Sequence, residues 1–157
     1  MAKFNFRLQN YLSLKEKLEE QRKLEYGMAL AALENERRAE AAIIAEKADK
    51  INEFSEMARK KIEPDKFALY NIYIEILKKR LIEQKKRVAQ AEAFAEKKRL
   101  ILVEAMKEKK ALQRLREKDY EEYATEEKRL EQRVVDETVS YKYANVTQSA
   151  RTIDEEA

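Results

Sequence analysis

The chain has 157 residues, 41% of them charged, with 34 Lys and Arg against 31 Asp and Glu, and it contains one Gly, one Pro, no Cys and no His. Without Cys there are no disulfides, thiol nucleophiles or thiolate metal sites; without His the commonest metal ligand and general base are missing, so most enzyme mechanisms are excluded and no catalytic site, metal site or cofactor is expected. Two helix breakers are too few for a fold with many tight turns, and the Ala-, Glu-, Lys-, Leu- and Arg-rich remainder has the composition of long helices and coiled coils.

The first residues carry no long apolar core of the kind a signal peptide needs, and no run approaches the roughly 20 apolar residues that span a bilayer, so a soluble cytoplasmic protein is expected. A first helix is predicted over residues 1–62. From Phe6 to Ile62 nothing interrupts it except Gly27, which costs about 1 kcal/mol relative to Ala without ending the element. Its expected apolar stripe is Ile44, Ala48, Ile51, Ser55, Ala58 and Ile62, with a looser continuation through Tyr11, Leu14, Leu18, Met28 and Ala32.

A turn is predicted at 63–66. Pro64 is poorly placed inside a helix but well placed at its first position, and Asp65 then suits the positive end of the helix dipole. A second helix is predicted over 64–143, with one heptad column at Phe67, Ile74, Leu81, Val88, Ala95, Leu102, Lys109, Arg116, Tyr123 and Leu130. The companion column is Tyr70, Leu77, Gln84, Ala91, Lys98, Ala105 and Leu112. At 1.5 Å per residue such a helix would be roughly 120 Å long and needs a partner along its seam.

The short connector favours folding back on the first helix. Charge agrees: residues 24–56 carry four basic and eight acidic side chains, a net of −4, and residues 57–118 carry nineteen basic and nine acidic, a net of +10. The expected fold is therefore all-α, a two-helix antiparallel coiled-coil hairpin with helix 2 longer than helix 1. After Tyr143 the seam is lost, and 144–157 reads as a flexible C-terminal tail.

Paired carboxylates such as Glu121-Glu122 and Glu126-Glu127 read as a solvated helix face, because no His, Asn cluster or constricting loop completes a site. The triplets Lys78-Lys79-Arg80, Lys85-Lys86-Arg87 and Lys97-Lys98-Arg99 are of a kind that contacts phosphates. With an acidic first helix and a net charge of only +3, solvation and pairing between helices is the preferred reading, with no nucleic acid and no small-molecule substrate. Ile72, Tyr73 and Ile76 widen the apolar surface of the second helix beyond the seam and either cap the hairpin or bind a partner.

Several stretches resemble the FliJ family of bacterial flagellar type III secretion. Phe4-Asn5-Phe6-Arg7-Leu8-Gln9-Asn10-Tyr11-Leu12, followed by Leu14-Lys15-Glu16, is similar to the family's entrance to helix 1. Tyr70-Asn71-Ile72-Tyr73-Ile74 with Leu77 and Gln84 resembles its start of helix 2, Lys109-Lys110-Ala111-Leu112 with Leu115 a later motif, and Val135-Asp136-Glu137 a motif near its C-terminus. Val135 stands where Leu or Met is usual, and the tail after Tyr143 also departs from the pattern.

The resemblance implies a hairpin like the stalk of rotary ATPases and a non-enzymatic role linking a hexameric flagellar export ATPase to a membrane export-gate protein and escorting export chaperones. It also implies a monomer when free, cytoplasmic and peripheral on the cytoplasmic side of the membrane at the flagellar base. The alternative is a generic dimeric coiled-coil structural protein. On the family's pattern the export-gate contact is expected at Phe54, Tyr73, Leu77, Arg80 and Gln84. A first helix of about 57 residues leaves about 22 residues of the second unpaired, so the ATPase-ring contact is expected at Phe4, Phe6, Leu8, Tyr123, Leu130, Val134, Val135 and Tyr141.

Overall fold

The computed structural model describes residues 3–61 and 63–155, with side chains as far as Arg151. It contains two helices, α1 (Gln9–Arg59) and the longer α2 (Pro64–Glu155), and no strand among the described residues. The chain divides into two compact units, Leu14–Lys109 and the pair of segments Met1–Ser13 and Lys110–Ala157.

In the unit Leu14–Lys109 the helices run antiparallel, because cross-helix contacts step down α1 as they step up α2. Lys15 meets Glu108, Lys98 meets Glu25, Gln84 meets Glu36 and Tyr70 meets Glu53. The α2 seam follows the predicted columns except at Phe67, which is exposed: Ile74, Leu81, Val88, Ala95, Leu102 and Lys109 alternate with Tyr70, Leu77, Gln84, Ala91, Lys98 and Ala105 as its buried and half-buried positions. Ala29 and Leu33 of α1 pack with Val88 and Ala95 of α2 as the buried apolar cluster, and small side chains there allow the close approach of two backbones.

The α1 seam differs from the predicted stripe. Its buried and half-buried columns are Glu19, Tyr26, Leu33, Glu40, Lys47 and Phe54, and Arg22, Ala29, Glu36, Ile43 and Lys50. Ile44, Ile51 and Met28 are exposed, while Ile62 lies outside the described residues. Charged residues occupy the seam because their alkyl stems pack against α2, while their heads reach partners on α2, as Glu19 and Glu36 do, or on α1, as Arg22 and Lys50 do. Glu19 is buried between Lys109 at 2.6 Å and Lys23 at 3.0 Å. The hydrogen bond from Lys109, followed by that from Lys23, holds its carboxyl below the ordinary glutamate pKa against the opposing effect of burial.

α1 ends at Arg59 and α2 begins at Pro64, the predicted start, so the turn predicted at 63–66 overlaps the first turn of α2. Lys60 N–H donates to the Met57 carbonyl and tightens the end of α1, and Lys61 turns the chain with φ 60°, a left-handed conformation that a non-Gly residue adopts at some cost. The Glu63 carbonyl accepts from the N–H groups of Lys66 and Phe67, so the first turn of α2 is closed while Pro64 stands at the position where its missing N–H costs nothing.

In the other unit α1 begins at Gln9, three residues after the predicted Phe6, because 6–8 form a turn in which the Phe6 carbonyl accepts from Gln9 N–H. Phe6 and Leu12 are buried. α2 passes the expected end at Tyr143 and remains helical through Glu155. No Gly or Pro follows Pro64 to stop it, and the hydroxyls of Thr138, Thr147 and Ser149 donate back to carbonyls four residues earlier, so residues that favour turns are held within the helix.

Gly27 lies inside α1, and a methyl group added there meets nothing within 4 Å. Gly27→Ala is expected to stabilise the protein by about 1 kcal/mol through helix propensity alone, read as a rise of a few degrees in the thermal midpoint; a fall would contradict the open space at that site.

Candidate protein-docking sites

The unit Leu14–Lys109 gathers aromatic side chains next to its connector. Phe54 packs on Phe67 at 5.0 Å and on Tyr70 at 5.8 Å between ring centroids. The Tyr73 hydroxyl donates to the Glu46 carboxylate, which holds the phenol above its ordinary pKa, and Lys50 lies 5.4 Å from the Tyr73 ring centre. Lys50, Leu69, Tyr70 and Tyr73 line a shallow hollow beside this cluster.

The five residues expected at the gate contact separate into two groups. Phe54 and Tyr73 are half-buried and Arg80 is exposed, so each presents surface. Leu77 is 0% exposed, and Gln84, also buried, donates from Nε2 to the Glu36 main-chain oxygen at 2.9 Å and to its carboxylate. Leu77 and Gln84 thus face α1 and offer no surface while the helices stay paired. An i, i+4, i+7 line through Tyr73, Leu77 and Arg80 runs along the margin of the seam, and its middle member falls inside.

In the second unit, Phe4 packs edge-on against Tyr120 at 5.2 Å and tilted against Tyr123 at 5.5 Å. Phe6 is buried, and Leu8 and Tyr123 are half-buried. Tyr120 was not among the expected residues; its signal in the sequence is the i, i+3 pairing with Tyr123, which places both rings on one face. Among the described residues Glu127 is the last half-buried position of α2, and every residue of 128–151 is exposed.

That exposed stretch carries Leu130, Val134, Val135, Val139, Tyr141, Tyr143 and Val146. At about 100° per residue, Leu130, Val134 and Tyr141 fall on one side of the helix and Val135, Val139, Tyr143 and Val146 on nearly the opposite side. Val139, Lys142, Tyr143 and Val146 line a hollow on the latter side.

Among the described residues no group of acidic, His or Cys side chains is arranged to hold a metal ion, and no helix is long and apolar enough to cross a membrane. What the two regions offer chemically is apolar and aromatic surface edged by charge, suited to contact with macromolecules.

No curated protein and no solved structure matches this chain. The family described as Flagellar FliJ protein matches residues 4–148, nearly the whole chain. The chain belongs to the flagellar FliJ protein family and is a component of the flagellar export apparatus.

Proposed function

We propose that this chain is a stalk-like adaptor that links the hexameric flagellar export ATPase to the membrane export gate and escorts export chaperones, acting as a monomer on the cytoplasmic side of the membrane at the flagellar base. The observation that carries this reading is the exposed stretch 128–151, with large apolar residues on two opposite sides of one helix. A flat partner covers one side and leaves the other in water, whereas a ring that surrounds the helix covers both. The ATPase-ring contact is accordingly assigned to Leu130, Val134, Val135 and Tyr141, with Phe4, Phe6, Leu8 and Tyr123 holding the base of that stretch.

The gate contact is assigned to Phe54, Tyr73 and Arg80, with Leu77 and Gln84 setting their positions from within the seam. A generic dimer built on the same seam has little to pair with, since Leu77, Gln84, Val88, Ala95 and Ala105 are already covered within the chain.

Tyr73→Ala combined with Arg80→Ala tests the gate assignment. The double variant is expected to keep its far-UV helicity and its binding to the ATPase, and to lose at least about tenfold in affinity for the export-gate protein, the size expected when a central aromatic anchor is truncated. Unchanged gate affinity would remove these residues from the contact.

A further inference from the structure

The basic triplets of α2 do not pair with α1 in the way that charge balance suggests. Of their nine residues, only Lys98 reaches a carboxylate on α1, Glu25 at 3.5 Å; Lys78 and Arg99 pair with Glu75 and Glu96 on their own helix. Among the described residues no carboxylate pairs with Lys79, Arg80, Lys85, Lys86, Arg87 or Lys97, all of them exposed. Six cations without a carboxylate partner favour an anionic surface supplied from outside the chain.

The same outward side of α2 also bears aliphatic side chains. Leu69, Ile72 and Ile76 are 66%, 58% and 42% exposed. At i, i+3 and i+7 they form a line away from the seam, and Lys79 and Lys86 continue it, while Arg80 and Arg87 lie at its margin in the column of Tyr73. Glu83 is the one carboxylate interposed on that line. Two successive turns are therefore aliphatic, and the turns after them carry Lys79 and Lys86 with Glu83 between them, on a convex helix face.

We infer that the outward face of residues 69–87 binds the surface of an anionic lipid bilayer. Branched aliphatics enter the boundary between headgroups and acyl chains, while lysine and arginine stems lie along the interface and place their charges at lipid phosphates. A nucleic acid would engage the cations but gain nothing from Leu69, Ile72 and Ile76, since phosphate and sugar offer them no apolar contact. An acidic protein would need a concave surface shaped to a bare helix, whereas a bilayer surface needs no such shape.

The inference does not rest on the ATPase or gate assignments, and protein-free vesicles test it separately from them. The full chain is to be sedimented with vesicles of phosphatidylcholine alone and with vesicles containing about a third phosphatidylglycerol at about 0.1 M salt. Partition onto the anionic vesicles is expected to be at least about tenfold stronger than onto the neutral ones, and to fall as salt is raised. The triple variant Lys79→Gln, Lys86→Gln, Arg87→Gln is expected to lose at least about tenfold in that partition.

The double variant Ile72→Ser, Ile76→Ser is also expected to bind more weakly. Both variants should keep native helicity because every altered side chain is exposed. Equal partition onto both vesicle types, no partition onto the anionic vesicles, or unchanged binding by the triple variant would overturn the inference. Full vesicle binding by the isoleucine variant, with the bound chain displaced by duplex RNA, would also overturn it and assign the face to phosphates of any source.

Discussion

Leu77→Ala is expected to lower the thermal midpoint of the protein by about 4–20 °C, the largest single-residue effect on stability anticipated for this chain. Leu77 is 0% exposed and lies on the α2 side of the interface in the unit Leu14–Lys109. Truncating a buried leucine removes its transfer free energy and leaves a cavity, at a combined cost of about 2–5 kcal/mol, and each kcal/mol is worth roughly 2–4 °C in a chain of this size. Cavity costs are high where the surroundings cannot collapse, and two helices tied through Gln84 and Glu36 on one side and Tyr73 and Glu46 on the other have little freedom to close the gap. The expected signature is a lower melting midpoint with native helicity retained at low temperature. A midpoint within about 2 °C of the native chain would show that the helices part readily at that level, and Leu77 would again be available as a contact residue.

The two helices differ in how plainly their sequences announce their roles. On α2 the inward positions are aliphatic, or are Ala, Gln and Lys at heptad spacing, so the repeat from Ile74 to Ala105 is visible without a structure. On α1 the inward positions include Glu19, Arg22, Glu36, Glu40, Lys47 and Lys50, which bury their stems and send their heads to partners across the interface or to solvent. An apolar period therefore selects Ile44 and Ile51, one residue away from the inward Ile43 and Lys50, and the predicted stripe falls on exposed positions.

The far end of α2 is obscure in the sequence for a related reason. A loss of apolar spacing after Tyr143 looks like the end of a helix, but no Gly or Pro follows Pro64 and the helix continues through Glu155. The proposed contact residues are partly legible. The exposed stripe through Leu130, Val134 and Tyr141 was visible as spacing, whereas the burial of Leu77 and Gln84 was already implied by their membership of the seam column.

Truncation after Glu127 is the measurement that tests the proposed function most directly. Among the described residues Glu127 is the last half-buried one of α2, so the cut keeps Tyr123 and its contact with Phe4 and removes the exposed stretch 128–151 with the residues after it. The melting midpoint should change by no more than about 2 °C, because an unpacked helical segment adds little to stability.

Binding should respond very differently. The removed segment carries Leu130, Val134, Val135, Val139, Tyr141, Tyr143 and Val146. At about 25 cal/mol per Å² of apolar surface, covering even part of them contributes several kcal/mol to an association, and each 1.4 kcal/mol lost is about tenfold in affinity. Titrated against the purified hexameric export ATPase, the full chain should bind and stimulate hydrolysis, and the truncated chain should bind at least about a hundredfold more weakly and stimulate little. Equal affinity of the two chains for the ATPase would contradict the account, since the exposed two-sided stretch of α2 would then not be the docking element.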